Sequence, residues 1–404
     1  MRRQRSETDR RIAGLLQTAR TTLGMSVAFL SRLDGTTQTL EVVESPLPGR
    51  FTDGVTQPQE TTFCQAILDG RLPPVIPDVR RHPVAMALPA ARVPRIRSWV
   101  SAPVRLADGS LYGTVCAFGF TARSGLTARD GVLMEVLASA VSAVLEPGLR
   151  RHRQDTEIGD RLRPLLDDAG PVVVLQPIVE LSTGARIGAE ALSRFPAEWG
   201  KAPDTVFAEA HSIGQGDRLE LLALRRAADV VSQVSGYVSL NVSPGTLLAP
   251  ECLAFLATLP LDRIVLELSE HDQVADYDAL TAALAPLRAR GMQLAVDDVG
   301  AGFSSLRHVV STSPDVLKLD RSIVSGVDAD PVLARLVTAL VAFAHSCGAR
   351  VVAEGVETAA ELAALRIAGV DDGQGWHLGR PGPATDLAPA VLPAARPDDR
   401  FLSA

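Results

Sequence analysis

The second half of this sequence repeats one pattern seven times: an apolar run followed by a polar side chain able to bind a metal or move a proton. In a (β/α)8 barrel the strands end at one rim, and the catalytic residues come from several of those ends. The repeat therefore predicts a TIM-like barrel over 167–395 with its functional groups on that rim. The polar residues that end the runs are Gln176, Glu190, Asn241, Glu267 with Glu270, Asp297 with Asp298, Lys318 and Glu354.

Helical periodicity separates these runs. It predicts helices near 205–233, 250–259, 274–290, 328–348 and 358–369. Strands that alternate with helices are typical of a parallel sheet built from βα units. Roughly 225 residues with seven or eight strands favour a closed barrel over an open sheet.

The first half has a different order of elements, which predicts an α+β sandwich over 1–146. A helix over 7–22 precedes two strands, and a short helix follows with Thr61 or Thr62 as its N-cap. Asp108-Gly109 predicts a tight hairpin, and a closing helix comes after it. Pro147-Gly148 predicts the end of that helix. Apolar residues at helical spacing over 147–166 predict a separate linker helix, which is either a solvated connector or a dimer seam.

Composition narrows the class of protein. The length of 404 residues accommodates two domains, and a net charge of −7 argues against electrostatic binding of polymeric nucleic acid. No uninterrupted apolar run reaches the length of a membrane helix, and the basic N-terminus has no apolar segment behind it. The cysteines are scattered, which favours reduced thiols in a cytoplasmic protein. They are Cys64, Cys116, Cys252 and Cys347.

The polar residues of the predicted rim form an oxygen-only donor set, which suits Mg²⁺ or Mn²⁺. Glu190, Asn241, Glu267 and Asp297 come from four strand ends, and Asp298 would let a second metal share ligands. Two adjacent metals can activate water and hold both oxygens of a phosphodiester displacement. So many converging carboxylates would repel one another without cations.

Eight motifs in order resemble the EAL family of cyclic di-GMP phosphodiesterases over 171–385. They are QPIV at 176–179, EALSR at 190–194, NVSP at 241–244, ELSE at 267–270, DDVGAGFSSL at 297–306, KLD at 318–320, EGVET at 354–358 and QGWHLGRP at 374–381. The resemblance implies metal-dependent hydrolysis of cyclic di-GMP to the linear dinucleotide pGpG. It also implies an EAL-type barrel that forms a homodimer.

The resemblance implies a role for each residue. Glu354 would be the general base, Lys318 would hold the water or the phosphate, and Glu270 would anchor the loop that begins at Asp297. The implied metal ligands are Glu190, Asn241, Glu267, Asp297 and Asp298. The implied substrate contacts are Gln176, Leu192, Arg194 and Gln374. Glu357 would either support the site or cap the next helix.

The sequence departs from the family pattern at Val299, Ala301, Phe303, Ser269 and Trp376, and none of these changes removes a metal ligand or the base. Two alternatives stay open at this point. One is a receptor that binds cyclic di-GMP without hydrolysing it, and the other is a phosphodiesterase for another phosphate ester.

The first 145 residues resemble GAF sensor domains in the order of their motifs. The segments that show this resemblance are LGMSVAFLSRLDG, TTFCQAILDG, LPPVIPDV and SAPVRLADGSLYGTVCAFGF. The pattern identifies no ligand. Cys64 and Cys116 are compatible with three functions: attachment of a bilin, sensing of redox state or contact with a haem. Simple packing of both cysteines in the core is favoured over all three. The implied task is regulation of the barrel through 147–166.

Overall fold

The structure is a computed structural model that divides into two compact units, Met1–Gln154 and Asp155–Ala404. It describes residues 5–46, 51–92, 95–167, 170–269, 274, 276–300 and 309–387. Glu270, Ala301 and Phe303 lie outside these described residues.

The first unit contains a six-stranded antiparallel sheet with the order β3-β2-β1-β6-β5-β4. The predicted hairpin joins β5 to β6, and Gly109 in its turn has φ +80°, a conformation that suits glycine. The strands are β1 (Val27–Leu33), β2 (Thr37–Glu44), β3 (Thr56–Pro58), β4 (Val75–Ile76), β5 (Ser98–Arg105) and β6 (Leu111–Gly119).

Helices cover both faces of this sheet, as the predicted sandwich requires. The helices are α1 (Glu7–Thr22), α2 (Phe63–Leu68), α3 (Pro83–Ala87), α4 (Pro89–Arg92) and α5 (Ala128–Asp167). Side chains of α1 and α5 pack on one face, and α2 packs on the other face against Trp99 and Phe118. Thr62 is the N-cap of α2 and accepts a hydrogen bond from the backbone of Gln65.

The helix α5 continues through Pro147-Gly148 for 40 residues, so the prediction that it ends there is wrong. Proline in a helix interior destabilises the helix by about 3 kcal/mol, but here packed side chains stabilise the helix on both sides of the proline. Leu149 packs in the core of the first unit, and Ile158 and Leu162 are buried in the second. By length and composition alone α5 could cross a membrane, and 33% of its apolar window is buried.

The second unit forms the predicted closed barrel, with the strand order β10-β11-β12-β13-β14-β7-β8-β9. The strands are β7 (Val172–Glu180), β8 (Arg186–Arg194), β9 (Tyr237–Asn241), β10 (Ile264–Ser269), β11 (Gln293–Val299), β12 (Val316–Leu319), β13 (Arg350–Ala353) and β14 (Asp372–Gly373). Strands β8 to β14 pair in parallel, but β7 is antiparallel to both of its neighbours. The prediction that every strand is parallel is therefore wrong for β7.

Helices connect most of these parallel strands. They are α6 (Pro203–Ser212), α7 (Gly216–Val231), α8 (Pro244–Leu247), α9 (Pro250–Leu256), α10 (Tyr277–Arg288), α11 (Arg321–Val324), α12 (Pro331–Ser346) and α13 (Ala359–Ala368). The single helix predicted at 205–233 is two helices, because Gly214 turns the chain between them at φ +71°.

The interior of the barrel holds a layer of apolar side chains. This layer consists of Ile178, Val265, Ala295, Val316 and Val352. They come from five different strands and contact one another, which is possible only inside the barrel.

Candidate active site

A polar layer lies next to this apolar layer, one inward-facing position closer to the carboxyl ends of the parallel strands. Side chains two residues apart point to the same face of a strand. The polar partners of Val265, Ala295, Val316 and Val352 are therefore Glu267, Asp297, Lys318 and Glu354. On the antiparallel β7 the corresponding residue precedes Ile178 and is Gln176, which pairs in register with Glu190.

Lys318 is at the centre of the polar layer and only 1% exposed. Its Nζ lies 2.6 Å from Glu354 Oε1, 2.7 Å from Glu267 Oε2, 3.3 Å from Asp297 Oδ1 and 3.7 Å from Glu190 Oε2. Four carboxylates thus converge on one ammonium group.

A second set of hydrogen bonds fixes Glu190 between amides. Asn241 Nδ2 donates to its Oε1 at 2.8 Å, and Gln374 Nε2 donates to its Oε2 at 2.6 Å. Gln374 also donates to Gln176 Oε1 at 3.0 Å, and Gln176 donates to the carbonyl of Gly379 at 3.1 Å. The structure therefore brings together four predicted site residues from β7, β8, β9 and the segment after β14.

Burial and crowding shift the pKa values in this cluster. Burial raises the pKa of Glu354 to about 8 against the lowering effect of Lys318. Burial and the Glu190 carboxylate raise the pKa of Glu267 well above its ordinary value. Burial lowers the pKa of Lys318, but the surrounding carboxylates outweigh it and raise that pKa well above normal. Burial raises the pKa of Glu190 as well, but Lys318 and the amide donors give a net decrease.

Asp297 and Asp298 occupy a β-bulge. Val296 pairs with Leu317 and Val299 with Leu319, so two residues of β11 face the single residue Lys318 of β12. Asp298 has φ +57°, which is uncommon for a residue other than glycine, and its N–H donates to Asp297 Oδ1 at 2.9 Å. Such bulges are common beside active sites, where they redirect a side chain.

The donor chemistry of this rim fits a divalent cation. Asp297, Asp298 and Glu354 can each offer one oxygen, and these oxygens lie within 4.8 Å of one another. The surplus of carboxylates over the ammonium of Lys318 leaves negative charge that a hard cation would neutralise. Glu354, predicted from the sequence to transfer a proton, is also placed where it can contact a metal.

A cavity of about 470 Å³ opens beside the polar layer. The predicted site residues in its wall are Glu190, Leu192, Arg194, Asn241, Asp297 and Asp298. Arg194 donates to the carbonyl of Ser193 at 2.9 Å, and Phe207 of α6 forms another part of the wall. The cavity therefore combines a guanidinium group, apolar side chains and the carboxylate rim.

Two polar residues of the site, Ser239 and Glu220, were not predicted from the sequence. Ser239 is 1% exposed and its Oγ donates to Glu267. It lies two residues before Asn241, and side chains two residues apart share a strand face. This spacing could have predicted that Ser239 points into the site. Glu220 of α7 lines the cavity. It accepts hydrogen bonds from Ser243 N at 2.9 Å and from Ser243 Oγ at 2.8 Å, and Ser243 is two residues after Asn241 in the chain.

Glu357 does not cap the helix that follows it. Thr358 is the N-cap of α13, with Glu361 as the partner in a capping box. Glu357 forms an ion pair with Arg321 at 2.8 Å.

Comparison with known proteins identifies both units. The family model of the EAL domain matches residues 160–381, and that of the GAF domain matches residues 9–146. Because the first match covers more than half of the 404 residues, the chain belongs to the EAL domain family. Its N-terminal unit is a GAF domain.

The relatives found by sequence match this chain over only part of their own length. A protein of Azorhizobium caulinodans is 30% identical over 267 residues, 60% of this chain and 36% of the relative. The probable cyclic di-GMP phosphodiesterase PdeB of Escherichia coli is 29% identical over 240 residues, 56% of this chain and 46% of PdeB. This chain therefore spans less than half of either protein.

Solved structures agree with the fold. The phosphodiesterase PaMucR, in complex with c-di-GMP, is 28% identical with a TM-score of 0.52 and covers 57% of this chain and 100% of its own. The EAL enzyme Bd1971, bound to cAMP and cyclic di-GMP, has a TM-score of 0.53 and covers 89% of this chain and 92% of its own. Its identity is 18%, so this second likeness concerns the fold alone.

Proposed function

We propose that this protein is a metal-dependent phosphodiesterase that hydrolyses cyclic di-GMP to linear pGpG. The observation that carries the proposal is the convergence of Glu190, Glu267, Asp297 and Glu354 on Lys318 beside a cavity that contains Arg194. The names of PdeB and PaMucR support the choice of substrate.

The residues that would hold Mg²⁺ or Mn²⁺, two ions in our proposal, are Glu190, Asn241, Glu267, Asp297 and Asp298. When bound, such ions neutralise phosphate charge and increase the acidity of water. The crowding around Lys318 supports this part of the proposal, because one ammonium cannot balance four carboxylates once all of them are ionised.

The protein's own groups position the reactants and move the proton. Glu354 accepts the proton of the attacking water, because its carboxylate oxygen lies within 4.8 Å of those of Asp297 and Asp298, the proposed metal ligands beside it. Lys318 holds Glu354 in place at 2.6 Å and offsets negative charge at the phosphate. Glu270, outside the described residues, would anchor the loop that begins at Asp297.

Substrate binding requires a match to phosphate and to the bases. Arg194 offers a planar fork that can donate two parallel hydrogen bonds to one phosphate. Leu192 supplies apolar contact in the cavity wall. Gln374 donates to both Glu190 and Gln176, and the two glutamines present amide groups at the same end of the barrel.

The test is incubation of the full-length protein with cyclic di-GMP in Mg²⁺, Mn²⁺ or EDTA, with chromatography of the products. We expect pGpG with either metal and none with EDTA. Product formation in EDTA would contradict metal dependence. Binding of cyclic di-GMP without product in either metal would favour a receptor, and preference for another cyclic or linear nucleotide in competition would change the substrate.

The variant Glu354→Gln tests the assignment of the base. We expect kcat to fall about 10²- to 10⁴-fold with substrate binding retained, because a glutamine cannot accept the proton. The matched control is Glu251→Gln, a carboxylate with 72% side-chain exposure on α9. A near-normal kcat for Glu354→Gln would contradict the assignment, and loss of metal binding would make Glu354 a ligand instead.

We also propose that the GAF domain regulates the barrel in a cytoplasmic homodimer, without a membrane or polymeric nucleic acid as partner. The support for regulation is α5, a continuous helix with residues in both compact units. In this proposal the domains are 1–146 and 167–395, with 147–166 as the part of α5 that transmits the signal.

A further inference from the structure

Two cysteines of the GAF domain are in contact although they are 52 residues apart in the chain. Cys64 of α2 and Cys116 of β6 are both free thiols with no exposed surface, and their Sγ atoms lie 3.3 Å apart. Neither residue belongs to the site described above.

The pair lies in a ring of buried polar side chains inside an otherwise apolar core. The ring consists of Ser31, Gln38, Ser101 and Thr114, each at most 2% exposed. Ser101 Oγ lies 3.2 Å from Cys116 Sγ, and Thr114 Oγ1 lies at the same distance from it. Burying polar groups is unfavourable unless they are hydrogen-bonded, and here much of the bonding is to sulfur. Packing alone would be served as well by apolar side chains.

The two thiols are chemically different. Gln38 Nε2 donates to Cys64 Sγ at 2.9 Å, and Gln38 Oε1 accepts from Gln57 at 2.7 Å, which fixes the orientation of the amide. Burial raises the pKa of Cys64, but hydrogen bonds, with that from Cys116 first, outweigh it and lower the pKa overall. Burial and the contact with Cys64 raise the pKa of Cys116.

We propose that Cys64 and Cys116 form a disulfide when the protein is exposed to hydrogen peroxide. Cys64 sulfur attacks one oxygen of hydrogen peroxide, the O–O bond breaks, and a sulfenic acid and water form. Cys116 sulfur then attacks the sulfenic sulfur, the S–S bond forms, and the S–O bond breaks to release a second water. The two thiols together lose two electrons and two protons, and peroxide is reduced to two water molecules.

Geometry selects Cys116 as the partner. A disulfide has an S–S length near 2.05 Å, so the sulfurs must approach by about 1.3 Å. Complete burial keeps glutathione and other bulky thiols away from the sulfenic acid, whereas hydrogen peroxide is nearly as small as water. The new bond would join α2 to the central strand β6 of the sheet.

The remaining cysteines are internal controls in opposite environments. Cys347 is exposed at the end of α12, and Cys252 is buried in the barrel, where burial raises its pKa to about 11. If accessibility alone decided the order of oxidation, Cys347 would be oxidised first and the buried pair Cys64 and Cys116 would stay reduced.

The experiment is peroxide treatment of the full-length native protein, followed by alkylation in denaturant and peptide mapping by mass spectrometry. We expect a linked Cys64–Cys116 peptide pair, about 2 Da lighter than the two thiol peptides, and its complete loss after dithiothreitol in denaturant. The pair should also form in Cys347→Ser and in Cys252→Ser. Cys64→Ser and Cys116→Ser should each abolish it, and the oxidised wild type should unfold at a higher temperature than the reduced form.

Free Cys64 and Cys116 after a treatment that fully oxidises Cys347 would overturn the proposal. So would a linkage that appears only in denaturant, or one that joins Cys64 to Cys347 or to another chain. The wild-type map decides the matter even if the serine variants fail to fold. None of these outcomes depends on turnover of cyclic di-GMP.

Discussion

Lys318 shows how much one side chain determines at this site. The chain contains lysine at only two positions, 201 and 318, although it has 40 basic residues of lysine and arginine together. A lysine ammonium is a compact charge that can approach several carboxylates from one point, whereas a guanidinium is a planar fork suited to one or two. Contact with four carboxylates at 2.6 to 3.7 Å therefore requires lysine at 318.

The variant Lys318→Met tests this role. Removing one partner of a buried ion pair costs about 3–5 kcal/mol because it leaves uncompensated charge. We expect loss of turnover and a lower unfolding temperature in EDTA. Mn²⁺ should raise that temperature more in the variant than in the wild type, because the cation then supplies the missing positive charge. The measurement is thermal unfolding in EDTA and in Mn²⁺.

Lys201→Met is the matched control, because Lys201 has 29% side-chain exposure and pairs with Glu209 at 2.6 Å. It should lose at most about 1 kcal/mol and show the wild-type response to Mn²⁺. Equal responses of the two variants to Mn²⁺ would mean that the Lys318 cluster does not bind the cation.

At the scale of single elements, apolar runs that end in a polar residue were enough to predict which side chains the structure brings into one polar layer. Glu267 and Lys318 lie within apolar strands and Glu354 directly follows one, and the structure places all three in one layer. The direction of β7 was missed, although a signal was present. Only residues 181–185 separate β7 from β8, and a parallel crossover needs a dozen residues or more.

Two other features could not be predicted from local pattern. The bulge at Asp297 depends on how β11 pairs with β12, which is a property of two strands at once. The continuity of α5 through Pro147 depends on packing on either side of the proline, by Leu149 and by Ile158. In both cases tertiary contacts outweigh the preference of the local sequence.

One arginine links the last turns of α5 to α6, the helix whose Phe207 lines the cavity. Arg161 forms an ion pair with Glu209 of α6, and its guanidinium lies 5.5 Å from the ring centre of Trp199. Trp199 stacks on Phe195 at 6.0 Å, and Phe195 directly follows Arg194. A movement of α5 would therefore reach the end of β8 that carries Arg194, the residue proposed to bind phosphate.

We expect Arg161→Met to raise the KM for cyclic di-GMP about 3- to 10-fold with a smaller effect on kcat. A partly buried ion pair and a cation–π contact each stabilise the local structure by roughly 1 kcal/mol. Their loss should make the position of Arg194 less fixed and leave Glu354 unchanged. Steady-state kinetics of the full-length protein measure both constants.

Arg163→Met is the control, because Arg163 has 67% side-chain exposure and pairs with Asp160 on the same helix. Its KM should be that of the wild type. If Arg161→Met also leaves KM unchanged, or lowers kcat alone, α5 does not act through Arg194.

At the scale of the whole molecule, the exposed face of α5 suggests where two copies meet. Val132 and Val136 are 58% and 62% exposed, and the exposed Ser139 and Ala143 continue the row at helical spacing. Exposed valines interspersed with small residues at intervals of four and three are the pattern by which two helices pack closely. The proposed homodimer would bury this row.

The double variant Val132→Glu, Val136→Glu should convert the dimer to a monomer in sedimentation equilibrium, because four glutamates would face one another across the seam. These positions are exposed within one chain, so the unfolding free energy should change by no more than about 0.5 kcal/mol per site. Val172→Glu, at a valine that is 68% exposed on β7, should stay dimeric. A monomeric wild type, or a double variant that remains dimeric, would exclude α5 as the seam.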